Sequence, residues 1–147
     1  AYNGYNLLFG KWDKLAVYNN HLDQIQYLND GFYGLSNASL NSPWPKVNKG
    51  VKKLQEYCQN DHNIQSEMLF TLLLDKHLAA DHDLPQTGIP LEWERRLSSI
   101  FIQGEEYGTR SSTILKVDKD QNVHWQERTY NNKAKCVAKQ NFQFSIN

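Results

Sequence analysis

The chain has 147 residues, and its 16 Lys plus Arg balance 16 Asp plus Glu, for a formal net charge of zero. That length suits one domain able to bury about 68–70% of the surface its unfolded chain exposes, and the even charge lacks the basic footprint with which nucleic-acid binders neutralise phosphates. An aromatic content of 12% favours an ordered core over disorder, and the longest apolar run, the seven residues Met68 to Leu74, is interrupted by Thr71 and falls far short of the about 20 that span a membrane.

In chain order, Tyr5 to Phe9 and Leu15 to Tyr18 are β-prone runs separated by a segment of hairpin composition, Gly10 to Lys14. Gln24 to Leu28 alternates polar and apolar residues as a half-buried strand does, and Asn29-Asp-Gly31 turns the chain into a fourth run, Phe32 to Leu35. These four runs predict an antiparallel meander. Pro45 then suits a first helical position, and Val47, Val51, Leu54 and Cys58 recur at helical spacing, with Lys46, Lys49, Lys52 and Lys53 on other faces read as solvated. A second helix is expected over Gln65 to His77, with Met68, Leu69, Leu72 and Leu73 as its buried stripe. A breaker-rich loop, Asp81 to Pro90, leads to a third helix starting at Pro90 and running through Leu97.

The pattern then returns to strands: Ser99 to Ile102, Thr109 to Val117, and Val123 to Tyr130 after a turn at Asp118 to Asn122. Phe142, Phe144 and Ile146 add a candidate edge strand. Strands, then helices, then strands predict a single α+β domain over 1–147 with layered antiparallel sheets, not alternating βαβ units.

Cys58 and Cys136 match no metal spacing, and they read as idle or buried thiols of a reducing compartment, the cytosol or an organelle matrix. The chain opens without an initiator Met and enters a strand pattern almost at once. The expectation is therefore a piece of something longer.

Chemistry-bearing residues fall in a few places. Asp75, His77, Asp81, His82 and Asp83 are metal-ligating types within nine residues, but their spacing matches no tight motif, so His77 and His82 are weak metal candidates. His62, His77, His82 and His124 are equally weak candidates for a haem ligand, and Met68 reads as core. Ser36, Ser39, Ser98, Ser99, Ser111 and Ser112 include none in a Gly-x-Ser-x-Gly elbow. Asn37 and Arg110 are more suggestive, because an Asn amide stabilises an oxyanion and an Arg fixes a carboxylate or developing charge. On residues alone the structural alternative is the stronger one: Asn37 caps a turn, and Arg110 pairs with an acid such as Glu105. Glu127-Arg128 and the stretch Glu92 to Arg96 read as surface ion pairs of little energetic weight.

Seven ordered blocks carry a resemblance: Tyr5-Asn-Leu-Leu8, Gly34-Leu-Ser-Asn-Ala38, Trp44-Pro-Lys-Val47, Leu84-Pro-x-Thr-Gly88, Leu97-Ser-Ser-Ile-Phe101, Tyr107-Gly-Thr-Arg-Ser-Ser-Thr113 and Glu127-Arg128-Thr129. In order and content they resemble the NRDE family, also called the transport and Golgi organisation protein 2 family. Only the later half of the family pattern is present; the Asn-Arg-Asp-Glu signature and the Cys that follows the initiator Met are not. The resemblance implies an N-terminal-nucleophile-hydrolase-like fold, an αββα sandwich, of which this chain supplies the later half.

By the same resemblance Asn37 looks like an oxyanion-binding Asn and Arg110 like an Arg that supports the nucleophile. Residue 1 is Ala, with no nucleophilic atom, so this chain alone is not expected to perform that chemistry. The family is associated with haem trafficking, lipid and acyl-CoA homeostasis, and secretory organisation. The first expectation is a haem carrier or chaperone, with Trp44, Tyr107, Ser111 and Ser112 joining Asn37 and Arg110 as ligand-binding residues. A cysteine-dependent amidohydrolase in the intact protein is the alternative. Acyl-CoA or lipid binding is a third, with the lysines of the Lys46 to Lys53 helix meeting phosphates. An upstream half, a partner chain or a homo-oligomer is expected to cover the sheet faces that half a sandwich leaves open.

Overall fold

The computed structural model describes residues 3–61 and 63–146. His62 and Ala1, both considered above, lie outside them. The described residues form an α+β arrangement of two three-stranded antiparallel sheets, three α-helices and one 3-10 turn. No helix among them is long and apolar enough to cross a membrane.

The first sheet is a meander of β1 (Asn6–Lys11), β2 (Lys14–Asn19) and β3 (Gln24–Tyr27). The β1–β2 hairpin closes at the pair Lys11↔Lys14. It depends on Gly10, whose φ of +126° disfavours L side chains and whose added Cβ would lie 2.2 Å from the Lys14 carbonyl oxygen. Beyond β3 the meander stops. Phe32 to Leu35, expected as a fourth strand, is irregular chain. It instead lies on a helix: a Cβ at Gly34 would sit 2.6 Å from Val47 Cγ1 and 2.8 Å from Val51 Cγ2.

That helix is α1 (Pro45–Asn60), with Pro45 at its start and the Val47 and Asn48 N–H groups donating to the Trp44 carbonyl. Helix α2 is shorter than expected, Ser66–Leu73. Its buried side chain is Phe70, 2% exposed, whereas Met68, assigned to the core from sequence, is 51% exposed. Phe70 packs under the Arg128 guanidinium at 3.8 Å, and the same Arg pairs with Glu67. Leu69, Leu72 and Leu73 of the expected stripe are half-buried; Phe70, not Met68, completes the inward face.

Just past α2 the chain is fixed by Asp75. Its carboxylate accepts from Lys49 at 2.8 Å, from Lys53 at 2.7 Å and from the His77 N–H at 2.9 Å, while its carbonyl accepts from the Phe101 N–H at 2.8 Å. Burial alone would raise the carboxyl pKa, but the hydrogen bonds from Lys49 and Lys53 hold it well below the ordinary aspartate range. The lysines of α1 are therefore not all solvated as expected. Lys49 and Lys53 grip Asp75, Lys46 donates to the Leu97 carbonyl at 2.9 Å, and Lys52 faces Glu56 at 3.9 Å.

After the 3-10 turn Asp81–Asp83 comes α3 (Leu91–Leu97), as its Pro90 start predicted. Ser99 to Ile102, expected as a strand, is not one. It is a buried crossing segment, with Phe101 at 1% exposure packed edge-to-face on Tyr130, ring centroids 5.0 Å apart. The second sheet runs β4 (Ser111–Val117), β5 (Asn122–Tyr130) and β6 (Cys136–Ser145), so the tail strand is longer than its three apolar residues implied. Ser112 and Ile114 of β4 turn inward, and α2 packs on this strand. The opposite face carries Leu115, Trp125 and Phe142 in one cross-strand row, all three exposed. The first sheet shows a similar exposed apolar row, Leu7, Tyr18 and Ile25, with Tyr18 half-buried. Both thiols are free, Cys58 half-buried and Cys136 exposed.

Candidate functional site

The segment carrying Asn37 is held from two sides. Asn6 in β1 donates its side-chain amide to the Ser36 carbonyl at 3.0 Å and the Ala38 carbonyl at 2.8 Å, and is itself fixed by the Asn19 amide at 2.8 Å. Asn41 closes the loop, accepting from the Gly34 N–H at 2.9 Å while its own N–H donates to the Gly34 carbonyl at 2.8 Å. Ser42, buried beneath, donates to the Ser39 carbonyl at 2.8 Å. Asn37 is left exposed at the loop's crest, its amide free of hydrogen bonds to the described residues. It does not cap a turn.

Asn37 lines a cleft of about 310 Å³ with Trp44, Pro45 and Lys46 from the start of α1, Thr87 and Ile89 from the loop before α3, Glu94 and Leu97 from α3, and Ile102 and Tyr107. Three of the residues singled out from sequence, Asn37, Trp44 and Tyr107, therefore converge. Tyr107 is 49% exposed and stands edge-on to Trp93, centroids 6.2 Å apart. The strap that carries it is closed by Ile102 and Thr109, the Thr109 N–H donating to the Ile102 carbonyl at 2.8 Å and its hydroxyl accepting from the Ile102 N–H at 3.0 Å.

Two charged groups in the cleft were missed or misread. Lys46, at the second position of α1, lies 5.6 Å over the Trp44 ring. Burial lowers its pKa, and among the described residues no carboxylate pairs with it. Glu94, read as a surface charge, is 6% exposed. One of its oxygens accepts from both the Thr87 N–H and the Thr87 hydroxyl at 2.6 Å, which pins the Leu84 to Gly88 block against α3.

Arg110, Ser111 and Ser112 do not line this cleft. Arg110 precedes β4, accepts from the Tyr130 N–H through its carbonyl at 2.8 Å, and has an exposed side chain; the expected pairing with Glu105 is not formed. Ser111 is exposed and Ser112 is buried on the inner face of β4, in register with Arg128. Glu127 does not pair with Arg128 either, but accepts from the Thr113 hydroxyl at 2.8 Å.

The acid–histidine run does not converge: Asp75 is taken by lysines, Asp81 by Arg95 at 2.6 Å, and His82 faces Asp83 at 3.6 Å. Among the described residues no group of three His, Cys, Asp or Glu side chains is placed to hold a metal. His77, His82 and His124 are also outside the cleft lining.

A sequence profile of the family described as transport and Golgi organisation 2 matches residues 1–132. This chain belongs to that family. The mouse transport and Golgi organization 2 homolog is 29% identical over 141 residues, 87% of this chain and 51% of that protein. The human homolog is 29% identical over 155 residues, 88% of this chain and 56% of that protein. The Drosophila melanogaster protein is 29% identical over 109 residues, 70% of this chain and 38% of its own length. The chain thus spans about half the length of the mammalian relatives it matches.

Proposed function

We propose that this chain forms the binding cleft of a haem carrier of the transport and Golgi organisation 2 family. The observation that supports it is the cleft's composition: apolar walls from Trp44, Ile89, Leu97, Ile102 and Tyr107 around one amine, Lys46, that lacks a carboxylate partner. A flat amphipathic acid suits such a lining, since apolar faces take up the ring edge and a charge-assisted hydrogen bond holds a propionate. Tyr107 offers a phenolic oxygen of a kind that ligates haem iron. A role in lipid and membrane-trafficking homeostasis would follow from cargo delivery. The fold reading that goes with it is the later half of an αββα N-terminal-nucleophile-hydrolase-like sandwich. In it, the rest of the family's length covers the apolar rows centred on Trp125 and Tyr18, whose exposure supports this assignment.

The hydrolase alternative draws on Asn37, an amide that lines the cleft and could serve as an oxyanion donor. It draws little from Arg110, which does not line it. The acyl-CoA alternative is weakened because Lys49 and Lys53 are committed to Asp75.

Haem titration, followed by the Soret band, tests the proposal on this chain and on a protein of full family length. Saturable binding is expected, weakened about tenfold or more in Lys46→Met, with a spectral change in Tyr107→Phe. Absence of saturable binding in both proteins, or affinity indifferent to Lys46→Met, refutes it. Turnover of an amide substrate by the full-length protein, abolished in Asn37→Ala, would establish the hydrolase instead.

A further inference from the structure

A second cleft, of about 590 Å³, shares no lining residue with the first. Three cations from distant parts of the chain meet in it: Lys76 after α2, Arg96 in α3 and Lys133 in the β5–β6 turn. None of the three forms an ion pair among the described residues. Two are held by aromatic rings in place of acids, Lys76 at 5.6 Å over Phe101 and Arg96 at 4.7 Å over Trp93. Such stacking positions a cation and leaves its hydrogen-bond donors open to a ligand.

The backbone around Arg96 is shaped to admit it. A Cβ at Gly104 would lie 2.6 Å from Arg96 Nη2 and 2.5 Å from the Tyr107 carbonyl oxygen, so any larger residue would displace the guanidinium. Lys133 sits on a turn fixed by Asn131, whose side-chain oxygen accepts from the Lys133 and Lys135 N–H groups at 3.0 Å. Phe101 and Ser99, both buried, also line the cleft, and Glu105 is its one acid, itself without an ion pair.

We propose that this cleft binds a phosphomonoester. An Arg fork matches two oxygens of a phosphoryl group, and two Lys ammonium groups supply point charges that neutralise a dianion. Three cations against one acid exceed what a monocarboxylate requires. The phosphoryl group comes either from a soluble phosphate ester or from a lipid headgroup, and the chemistry of recognition is the same.

Calorimetric titration of this chain with inorganic phosphate and with glycerol phosphate, and cosedimentation with phosphatidylcholine vesicles with and without phosphatidic acid, test the site. Saturable phosphate binding is expected, weaker at high salt, and reduced about tenfold in Arg96→Gln and several-fold in Lys76→Gln and Lys133→Gln. Lys139→Gln, on the exposed strand β6, should leave it unchanged. Binding of phosphatidic-acid vesicles that depends on the same residues assigns the source to a headgroup; binding of the soluble esters alone assigns it to a free ligand. Should Arg96→Gln lower the melting temperature by loosening Trp93, the two Lys variants decide. No saturable binding, or equal binding by wild type and all three variants, overturns the proposal.

Discussion

Replacing Asp75 by Asn removes one charge and almost no volume at the point where α1, the end of α2 and the crossing segment at Phe101 are tied together. The Asn oxygen can still accept from the His77 N–H, but its NH₂ group faces the two ammonium groups that the carboxylate held at 2.7 and 2.8 Å. A hydrogen bond to a charged group contributes about 1.5–3 kcal/mol net. Because the Lys49 and Lys53 side chains are 35% and 46% exposed and can swing into water, the lower part of that range applies to each. The expected loss is about 2–3 kcal/mol, or a fall in Tm of roughly 5–10 °C for a domain of this size.

Thermal and urea denaturation followed by circular dichroism measure it. The pH dependence supplies a sign. The native carboxyl is held below its unfolded value, so the stabilisation is complete above about pH 4 and is lost as the pH falls below the ordinary aspartate pKa of about 3.9, where the unfolded chain takes up the proton first. The wild-type advantage over Asp75→Asn should therefore shrink as the solution is made more acid than pH 4. A difference below about 0.5 kcal/mol at pH 7, or stability curves that stay parallel down to low pH, would refute the assignment of Asp75 as a tie between elements.

Three further outcomes follow from the geometry. Gly34→Ala drives a methyl into Val47 and Val51 of α1 and should destabilise by about 1–3 kcal/mol in a urea melt, whereas Gly31→Ala, with its nearest contact at 3.4 Å, should change little. Glu94→Ala frees the Thr87 amide and hydroxyl; hydrogen exchange over 84–90 should accelerate about tenfold, and unchanged protection would remove Glu94 as the loop's anchor. Because burial lowers the Lys46 pKa, affinity for any carboxylate in the first cleft should decline with rising pH before the usual lysine value of about 10.4 is reached; affinity that is flat to pH 10 would exclude the amine as anchor.

The hairpins of the first sheet, the starts of α1 and α3, and the β4–β5 hairpin were legible because each is specified within a few residues: Gly10 at positive φ, Pro45 and Pro90 at helix starts, alternation in 111–117. Phe32 to Leu35 and Ser99 to Ile102 have equally β-prone composition, yet neither pairs with a strand edge. One is laid on α1 and the other is buried beside Tyr130, and neither circumstance is written locally. The same limit put Phe70 in the place expected for Met68 while Leu69, Leu72 and Leu73 kept theirs, since Phe70 is the residue that meets Arg128.

Asn37, Trp44 and Tyr107 could be picked out from their blocks, but not their common cleft, nor the absence of Arg110 from its lining. Asn6, thirty residues from Ser36, Glu94 beneath Thr87, and the Lys76, Arg96 and Lys133 cluster are products of chain crossing. Sequence alone determined the turns, the helix starts and the family, because short-range sterics and ordered motifs carry that information. Tertiary structure alone decided which charges are buried, paired or left open, because those depend on the groups that distant segments bring within a few ångströms.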